Sequence, residues 1–408
     1  MAEQPLSGIR ILEWSLFHNG PAAGAMLGDL GAEVIKIEHP VEGDATRGLA
    51  AISGAPAFLP GGRTTMFEGA NRNKKSITLN LQTEGGKEVV YRLVEKCDVF
   101  ATNFRRSVAQ RVGMDYANLS RYNPQLIYAI TTGWGSLGAD SDQRVFDQLV
   151  QARSGLMWAA GDRDNPEPQL VQGAVVDQMG ATMFAYGILA ALLARERYGM
   201  GQEIEASLFG SAIHLQAVNV NTVAWQGRAI PRHSRTRARN PMDNHYLCRD
   251  GKWLRLAEVQ ADRFWKEFCE ALGIGHLENE PRFATSEARR QHYEELIGVL
   301  DGVFATRDRD EWLQTFTDRG CRFARGPINT MEDVPNDPQA LANDYVVEFD
   351  HPTMGRVKTM GFPVKLSRTP MAIQSPAPEF GQHTEEVLQE LGGYSWEEIS
   401  ELRSQGVI

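Results

Sequence analysis

Residues 9–38 read IRILEWSLFHNGPAAGAMLGDLGAEVIKIE, and this stretch decides the fold. Residues 9–14 have the short apolar pattern of a β-strand, and residues 32–38 repeat that pattern. Between them, Gly20 and Pro21 begin a helix made of small residues. A strand, a turn, a helix and a second strand form a βαβ unit. The unit predicts an α/β fold with parallel strands covered by helices.

The alternation of strands and helices continues beyond this unit. A helical run at 86–96 precedes a short strand at 98–102, and further strands are predicted at 126–131 and 202–207. The intervening segment 43–72 is rich in Gly, Thr and Ala and has little periodicity. It is too long for a plain connection, so we expect it to line a site or an interface.

The second half of the chain has a different character. Residues 227–244 are rich in Arg, Pro and Asn and resemble a linker, and a strand at 253–257 follows. Helices are then predicted at 262–272, 288–304 and 309–319. An antiparallel pair is predicted at 345–350 and 357–360, and two helices end the chain. Ser395 and Glu398 form a capping box for the last helix.

With 408 residues, the chain is too long for one simple core.

Composition limits the possible partners. The formal net charge is −10, which argues against broad binding to nucleic acids or anionic membranes. The four cysteines have no metal-ligand or CxxC spacing, so we expect free thiols in a reducing compartment. The start of the chain lacks the pattern of a signal peptide, and the longest apolar stretch, 184–194, is too short to span a membrane. These features predict a cytoplasmic protein with no membrane partner.

Two basic clusters stand out on this acidic chain: NRNKKS at 71–76 and NFRRSVAQR at 103–111. Each cluster alone is more often a solvated surface, but both lie close to the end of a predicted strand, where α/β proteins bind ligands. Lys74, Arg105 and Arg111 are therefore candidates for binding an anionic ligand. The helix start at Gly20 could also bind an anion.

Asp177 lies at the front of VVDQMGATMFAYGILAALL, residues 175–193, which is otherwise apolar or small. It could be an N-cap that accepts a helix N–H bond. It could also be a nucleophile or base, because a carboxylate at a helix N-terminus is expected to stay ionised. The histidines are not spaced as metal ligands, and no GxSxG or HExxH motif occurs, which disfavours common serine and zinc hydrolases.

Several segments together resemble the class III CoA-transferase family, which includes formyl-CoA and carnitine CoA-transferases. The resemblance covers essentially the whole chain. Its blocks occur in family order: the segment from GIRILEW to GDATRG, NRNKKSITLNL, TNFRRSVAQRVGMDY, NPQLIYAITTGWG, VFDQLVQARSGLM, VVDQMGATMFAYGILAALLARERYGMGQ, GPINTMEDVPNDPQ and FGQHTEEVLQELG.

The resemblance implies an architecture. Both chain ends, 1–225 and 329–408, would form a Rossmann-like large domain, and residues 226–328 would form a smaller inserted α+β domain with its linkers. Two subunits would interlock as a homodimer, or as a heterodimer with a homologous subunit. The implied partners are an acyl-CoA and a carboxylic acid. CoA would be a substrate, and no permanently bound cofactor is implied.

The resemblance also implies a mechanism in which Asp177 attacks an acyl-CoA thioester. A mixed anhydride forms, the CoA thiolate returns to give an aspartyl-CoA thioester, and CoA finally passes to the acceptor acyl group. His18 matches a position, often Gln, beside the reacting carboxyl group. His39 matches a basic position near the CoA adenine, and Arg111 and Arg144 match residues of the CoA site.

Two positions depart from the family pattern. Gln82 occupies a place where some members have a CoA-binding lysine, and the glycine-rich active-site loop is not recognisable near residues 239–244. Phe146 matches a Tyr in many transferases and a His in related acyl-CoA racemases. Since phenylalanine cannot take a proton, the racemase hypothesis weakens. A supporting subunit of a heteromeric transferase remains an alternative.

The substrate is less well defined by the sequence. His18 and Arg47 would suit a second carboxylate, as in succinate or a substituted succinate. Four aromatic residues could line an acyl pocket or belong to the core: Trp14, Phe17, Trp134 and Trp158.

Overall fold

A computed structural model describes residues 3–408. The strands are β1 (Arg10–Trp14), β2 (Glu33–Glu38), β3 (Ala51–Ile52), β4 (Ala55–Pro56), β5 (Lys74–Thr78), β6 (Val99–Thr102), β7 (Ile127–Thr132), β8 (Gln202–Ser207), β9 (His245–Leu247), β10 (Trp253–Leu256), β11 (Arg325–Ile328), β12 (Val346–His351) and β13 (Gly355–Met360).

The helices are α1 (Asn19–Asp29), α2 (Thr65–Asn71), α3 (Glu84–Val94), α4 (Arg106–Arg111), α5 (Tyr116–Leu119), α6 (Asp147–Arg153), α7 (Leu156–Ala159), α8 (Val175–Tyr198), α9 (Leu208–Leu215), α10 (Ala217–Gln226), α11 (Ala261–Leu272), α12 (Ser286–Gln291), α13 (Tyr293–Phe304), α14 (Arg309–Asp318), α15 (Pro338–Ala342), α16 (Thr384–Glu390) and α17 (Trp396–Ser404).

A six-stranded parallel sheet is the centre of the fold, with the order β5-β2-β1-β6-β7-β8. Leu12 in β1 is opposite Ile35 on one side and Phe100 on the other. The strand order reverses between β1 and β6, so the chain leaves these two strands in opposite directions. Such a reversal opens a crevice at the carboxyl ends of the strands. The parallel sheet predicted from residues 9–38 is confirmed.

Helices cover both faces of this sheet. Ile11 belongs to a core formed with α1 and α8, whereas the next residue, Leu12, belongs to a core formed with α3, α16 and α17. Successive side chains of a strand point to opposite faces, so alternate residues supply the two cores. The central strands β6 and β7 are buried throughout, as expected for a parallel sheet covered on both sides.

The chain divides into two compact units. One contains the chain up to Ala159, Gln169–Ile230 and Ala342–Ile408, and the other contains Ala160–Pro168 and Pro231–Leu341. In the second unit, the antiparallel sheet β11-β10-β9 contributes to an aromatic core with α11, α13 and α14. The boundaries at 226 and 328 expected from the sequence stay a prediction.

Smaller predictions have mixed outcomes. The antiparallel pair β12–β13 and the Ser395–Glu398 capping box are confirmed. The helix predicted at 288–304 is instead two helices, α12 and α13, which meet at His292. Strand β5 was not predicted from the sequence, because its first two residues are lysines.

Helix α8 has 24 residues and is, by length and composition alone, apolar enough to cross a membrane. It is longer than the stretch 184–194 singled out in the sequence. In the structure it packs against α1, α9, β7 and β8. The core helix of a folded unit can have the same length and apolar composition as a membrane-spanning helix. The contacts of α8 with α1, α9, β7 and β8 are those of a core helix.

Candidate active site

The turn after β1 reaches the crevice at the carboxyl end of the sheet, and side chains from other strands hold its backbone. Asn103, just after β6, donates from Nδ2 to the Leu16 carbonyl (2.7 Å) and accepts from the Leu16 N–H (3.0 Å). Lys36 Nζ donates to the Ser15 carbonyl (2.7 Å). The turn is therefore fixed on both sides by buried or half-buried polar groups.

Phe17 lies in this turn with φ of +64°, in the left-handed region that residues with a Cβ adopt at a cost of about 1–2 kcal/mol. Its N–H points to Asp44 Oδ1 at 3.4 Å. Asp44 is itself buried and paired with Lys36 at 2.9 Å. Such a conformation persists where the surroundings over-determine it, and it is more frequent at functional sites.

Asp177 is the third residue of α8 and does not cap the helix. The N-cap is Ala174, in the left-handed conformation and without a side-chain bond. Asp147, the first residue of α6, supplies the cap instead: its Oδ2 accepts from the N–H groups of Val176 (2.7 Å) and Asp177 (3.0 Å). The Asp177 side chain is thus left for another role.

The α8 start is held against the turn by two contacts. His18 Nε2 and Gln178 Oε1 are 3.0 Å apart, and Asn19 Nδ2 donates to the Asp177 carbonyl at 3.1 Å. A Cβ at Gly180 would come within 2.4 Å of Asn19 Nδ2. Gly180 therefore makes room for the Asn19 side chain.

Burial and the neighbouring Asp147 carboxylate raise the pKa of Asp177 to about 7. The sequence led to the expectation that this carboxylate stays ionised at the helix N-terminus. A pKa of about 7 opposes that expectation, because burial disfavours the charged form and the Asp147 carboxylate adds to the effect. Burial also lowers the pKa of the His18 imidazole, so its neutral form is favoured. The site thus combines a carboxyl group that titrates near neutral pH with a neutral histidine.

Two cavities meet at Asp177. The first has a volume of about 350 Å³ and the second about 490 Å³. Four residues line both of them: Phe17, His18, Phe146 and Asp177. The Asp177 carboxylate is therefore approachable by groups in either cavity.

The first cavity lies at the carboxyl ends of β1 and β6, in the crevice where the strand order reverses. Arg105 and Arg144 line it. Arg105 is ion-paired with Asp142 at 3.7 Å, and the Arg144 guanidinium lies 5.4 Å from the centre of the Phe146 ring. Both arginines predicted from the sequence are thus placed beside the candidate nucleophile.

A third cavity, of about 540 Å³, shares the walls Leu16, Phe104 and Val108 with the first. His39 and Arg111 line it, as does Lys87 from the first turn of α3. Lys87 was not predicted as a site residue from the sequence. Gln82, which stands where some family members have a lysine, lines the same cavity.

Lys74 does not reach these cavities, and we correct its proposed role in binding CoA. Its Nζ is buried and donates to Glu13 (2.8 Å), Asn71 (3.0 Å) and the Pro21 carbonyl (2.7 Å). These three partners use its three N–H groups. A sequence cluster of basic residues does not distinguish a buried strand lysine from a surface one.

Other basic residues of the two clusters are also paired within the protein. Arg72 binds Asp29, Lys75 binds Glu33 and Glu386, and Arg106 binds Glu203 and Glu205. Arg105 and Arg111 are the basic residues of the clusters that line a cavity.

Arg47 is likewise used inside the fold. It binds Glu38 through two nitrogens at 2.7 Å each, and its guanidinium lies over the Phe67 ring. This bidentate pair does not favour the second-carboxylate role suggested for Arg47 from the sequence.

The four aromatic residues lie in different environments, and Trp158 is the most exposed of them. Trp14 stacks on Phe104 and lines the third cavity, and Phe17 lines the first two. Trp134 packs against Phe209 in a small core cluster.

Within residues 3–408, no group of three His, Cys, Asp or Glu side chains is arranged to hold a metal ion.

A family model described as CoA-transferase family III matches residues 6–384. The chain belongs to this family. It is 34% identical to the succinyl-CoA:glutarate CoA-transferase of Mus musculus over 407 residues, which cover 99% of this chain and 90% of the mouse protein. It is 30% identical to the (R)-2-hydroxy-4-methylpentanoate CoA-transferase of Clostridioides difficile over 404 residues, which cover 99% of both chains.

Solved structures agree with this assignment. A CAIB/BAIF family protein from Brucella suis superimposes with a TM-score of 0.85 at 31% identity, covering 95% of this chain and 100% of that one. The mixed α/β fold with a parallel central sheet is the fold of that protein. The protein is thus a class III CoA-transferase, and enzymes of this kind use CoA thioesters as substrates.

Besides Lys87, three residues of the site were not predicted from the sequence: Asp147, Gln178 and Asn103. Asp147 is the first residue of α6, where an acidic residue is common. Its carboxylate instead caps the start of α8. The contact partners of Gln178 and Asn103 lie 160 and 87 residues away in the chain. Sequence spacing carries no signal for contacts of that range without a known fold.

Proposed function

We propose that this class III CoA-transferase moves CoA from an acyl-CoA to a carboxylic acid through a covalent intermediate on Asp177. The observation that carries the proposal is the position of the Asp177 carboxylate at the junction of two cavities. A nucleophile that exchanges one acyl group for another must face both a thioester and a carboxylate.

Each step transfers an acyl group between Asp177 and sulfur or oxygen. The ionised Asp177 attacks the acyl-CoA carbonyl, the C–S bond breaks, and a mixed anhydride and the CoA thiolate form. The thiolate attacks the Asp177 carbonyl, which gives an aspartyl-CoA thioester and releases the donor carboxylate. The acceptor carboxylate attacks this thioester, and the released thiolate then takes the acceptor acyl group and frees Asp177.

The three cavities suggest how CoA would lie. We place its phosphates in the third cavity, beside His39, Arg111 and Lys87, because cationic side chains there match phosphate charge. The pantetheine arm would cross the shared wall at Leu16, Phe104 and Val108 into the first cavity. Arg105 and Arg144 would then lie near the reacting end of CoA.

The second cavity would hold the acyl group. Ile52, Met66, Leu170 and Val171 are among its lining residues, so an apolar acyl chain has matching walls. His18, fixed by Gln178, lies on the wall between the cavities and would contact the reacting carboxyl group. The segment 43–72 supplies part of this lining, as expected for a segment that lines a site.

We further propose a Rossmann-like large domain with an inserted smaller domain, and an interlocked homodimer. The strand order, counted within the sheet alone, is the order 3-2-1-4-5-6 of doubly wound nucleotide-binding folds. The homodimer is supported by helix α10. All of α10 is described by the structure and none of its residues is buried, although Val218 and Trp225 are apolar.

The four cysteines are free thiols, which supports a reducing, cytoplasmic location.

The covalent step is tested by incubating the protein with acyl-CoA alone and then with hydroxylamine. We expect the peptide containing Asp177 to carry a hydroxamate, detected by mass spectrometry. Asp177→Ala and Asp177→Asn should fold normally but lose transfer by several orders of magnitude, because the nucleophile is gone. Asp318→Asn, which changes an exposed helix acid, is the matched control and should keep both adduct and transfer.

Two outcomes would change the assignment. Near-normal transfer by Asp177→Ala would remove the carboxylate from the mechanism. A wild-type protein that transfers CoA only after a second polypeptide is added would favour the supporting-subunit hypothesis instead.

A further inference from the structure

The two phenyl rings of Phe17 and Phe146 stand between the first and second cavities. Their centroids are 5.8 Å apart and their planes meet at 85°, an edge-to-face pair. Both residues line both cavities, together with His18 and Asp177. We refer to Phe17 and Phe146 as the ring pair.

The surrounding structure holds the ring pair in this position. Phe17 has its left-handed backbone, which Asp44 and Asn103 support through the turn. Phe146 precedes Asp147, whose carboxylate is bound to the start of α8, and the Arg144 guanidinium lies on the Phe146 ring. The ring pair is therefore anchored to the same elements that position Asp177.

Both rings are nevertheless well exposed, with fractions of 38% for Phe17 and 43% for Phe146. Large aromatic side chains are usually buried. The strained backbone of Phe17 is not required merely to expose its ring to solvent, so the strain needs another explanation. Their exposed surface faces the two cavities on either side of Asp177. A role in the cavities explains why the fold keeps them there.

We infer that the ring pair shields the Asp177 anhydride from water and limits the width of the acyl group that can pass from one cavity to the other. This inference rests on the proposed function, because it concerns the fate of the same intermediate. The competing reaction is hydrolysis. Water adds to the anhydride carbonyl, the bond to Asp177 breaks, Asp177 leaves as a carboxylate, and the acyl group leaves as a free acid with release of one proton.

Hydrophobic side chains close to a reactive intermediate keep water away and so favour transfer over hydrolysis. A phenyl ring removed from either side of the pair would join the two cavities and admit water. It would also let wider acyl groups approach Asp177. Hydrolysis and acyl-width selectivity should thus change together.

The test measures the ratio of hydrolysis to transfer in Phe146→Ala and Phe17→Gly. Glycine adopts φ of +64° without strain, so the second variant removes the ring and leaves the turn intact. Steady-state release of CoA thiol from acyl-CoA without an acceptor reports hydrolysis, and formation of acceptor-CoA reports transfer. We expect the ratio to rise about tenfold or more in each variant. Branched or aromatic acyl-CoA donors should gain relative to acetyl-CoA.

Phe104→Ala is the matched control, because Phe104 lines the first and third cavities but is not among the residues of the second. We expect it to raise KM for acyl-CoA without raising the ratio. Phe146→Leu and Phe17→Leu serve if a larger truncation prevents folding, as judged by circular dichroism, and should raise the ratio less.

The outcomes are distinguishable. An unchanged ratio and an unchanged donor preference in both ring variants, in a wild-type protein that forms the Asp177 adduct, overturn the assignment of the ring pair alone. An equal rise in Phe104→Ala also overturns it, since the effect would then not depend on the wall between the cavities. A wild-type protein without the adduct overturns the proposed function and this inference with it.

Discussion

At the scale of single residues, the site depends on a conflict between two carboxyl groups. Asp147 must be close to the start of α8 to cap it, and Asp177 must be close to the same place to face both cavities. Burial, and in second place the neighbouring Asp147 carboxylate, raise the pKa of Asp177 to about 7. A less acidic carboxyl group gives a more basic and more nucleophilic carboxylate once it is ionised, provided that the pH lies above that pKa.

This conflict predicts a pH dependence. Because the ionised form of Asp177 is the nucleophile, kcat/KM should rise about tenfold per pH unit below a midpoint near pH 7 and level off above it. Asp147→Asn removes a neighbouring negative charge, so the pKa of Asp177 should fall and the acidic limb should move to lower pH. Initial rates measured between pH 5 and 9 with a saturating acceptor check this.

Asp318→Asn is again the control and should leave the limb where it is. A limb that moves to higher pH in Asp147→Asn would contradict the electrostatic explanation. It would show that loss of the cap on α8 matters more than loss of the charge.

Individual residues were predictable from the sequence to different degrees. Asp177 was a candidate from its position at a helix start and from the family resemblance, and His18 came from the resemblance alone. The structure places both on the wall shared by two cavities. Lys74 was assigned wrongly, because its burial depends on Glu13, which lies 61 residues earlier in the chain. Asp147 was missed for a similar reason: the helix that it caps begins far from the helix that it starts.

At the scale of elements, the sequence pattern was sufficient for five of the six strands of the central sheet. β1, β2, β6, β7 and β8 were all predicted within a residue or two. β5 was missed, because KKSIT reads as a charged segment until Glu13 and Glu33 are placed beside it. Helices α3 and α4 contribute to the candidate CoA site, because α3 places Lys87 and α4 places Arg111 in the wall of the third cavity.

The placement of Lys87 on α3 and Arg111 at the end of α4 predicts their effect on CoA binding. Arg111→Ala and Lys87→Ala should each raise KM for acyl-CoA about tenfold, equivalent to about 1.4 kcal/mol for one charge-assisted contact. Among residues 3–408, Lys87 is paired only with the exposed Glu84, at 2.7 Å. Such a pair contributes little, so the lysine can turn to a phosphate.

Steady-state kinetics with CoA and dephospho-CoA thioesters test this prediction. A variant that loses a contact with the 3′-phosphate should show a smaller defect with the dephospho substrate, whereas a contact with the pyrophosphate should give the same defect with both. Lys266→Ala changes an exposed lysine of α11 and is the control. Unchanged KM values in both cavity variants would remove the third cavity from the CoA site.

At the scale of the whole molecule, the fold leaves one feature unexplained by a single chain. The sheet has helices on both faces, yet α10 is an apolar helix with no buried residue, and Trp225 is 80% exposed and Val218 73% exposed. Exposed apolar surface of this kind on a helix indicates an interaction surface. Neither the periodicity of the sequence nor the fold of one chain identifies the partner, and the proposed homodimer supplies one.

The dimer is therefore testable through α10. The wild-type protein should sediment with twice the mass of its 45.3 kDa chain. The double variant Val218→Glu with Trp225→Glu should sediment as a monomer or a weak dimer, because burying two carboxylates in an apolar interface costs far more than leaving them in water. Trp396→Glu places the same charge on a tryptophan of α17 that is 60% exposed, and it should keep the wild-type mass.

The same measurement separates two ways in which the prediction can fail. A wild-type monomer would show that α10 is covered by something other than a second copy, and a titration with candidate partner polypeptides would then be needed. A double variant that stays fully dimeric would place the subunit interface elsewhere. If instead the variant dissociates and also loses the Asp177 adduct, the second subunit is required to complete or stabilise the site, since α10 itself lines none of the three cavities.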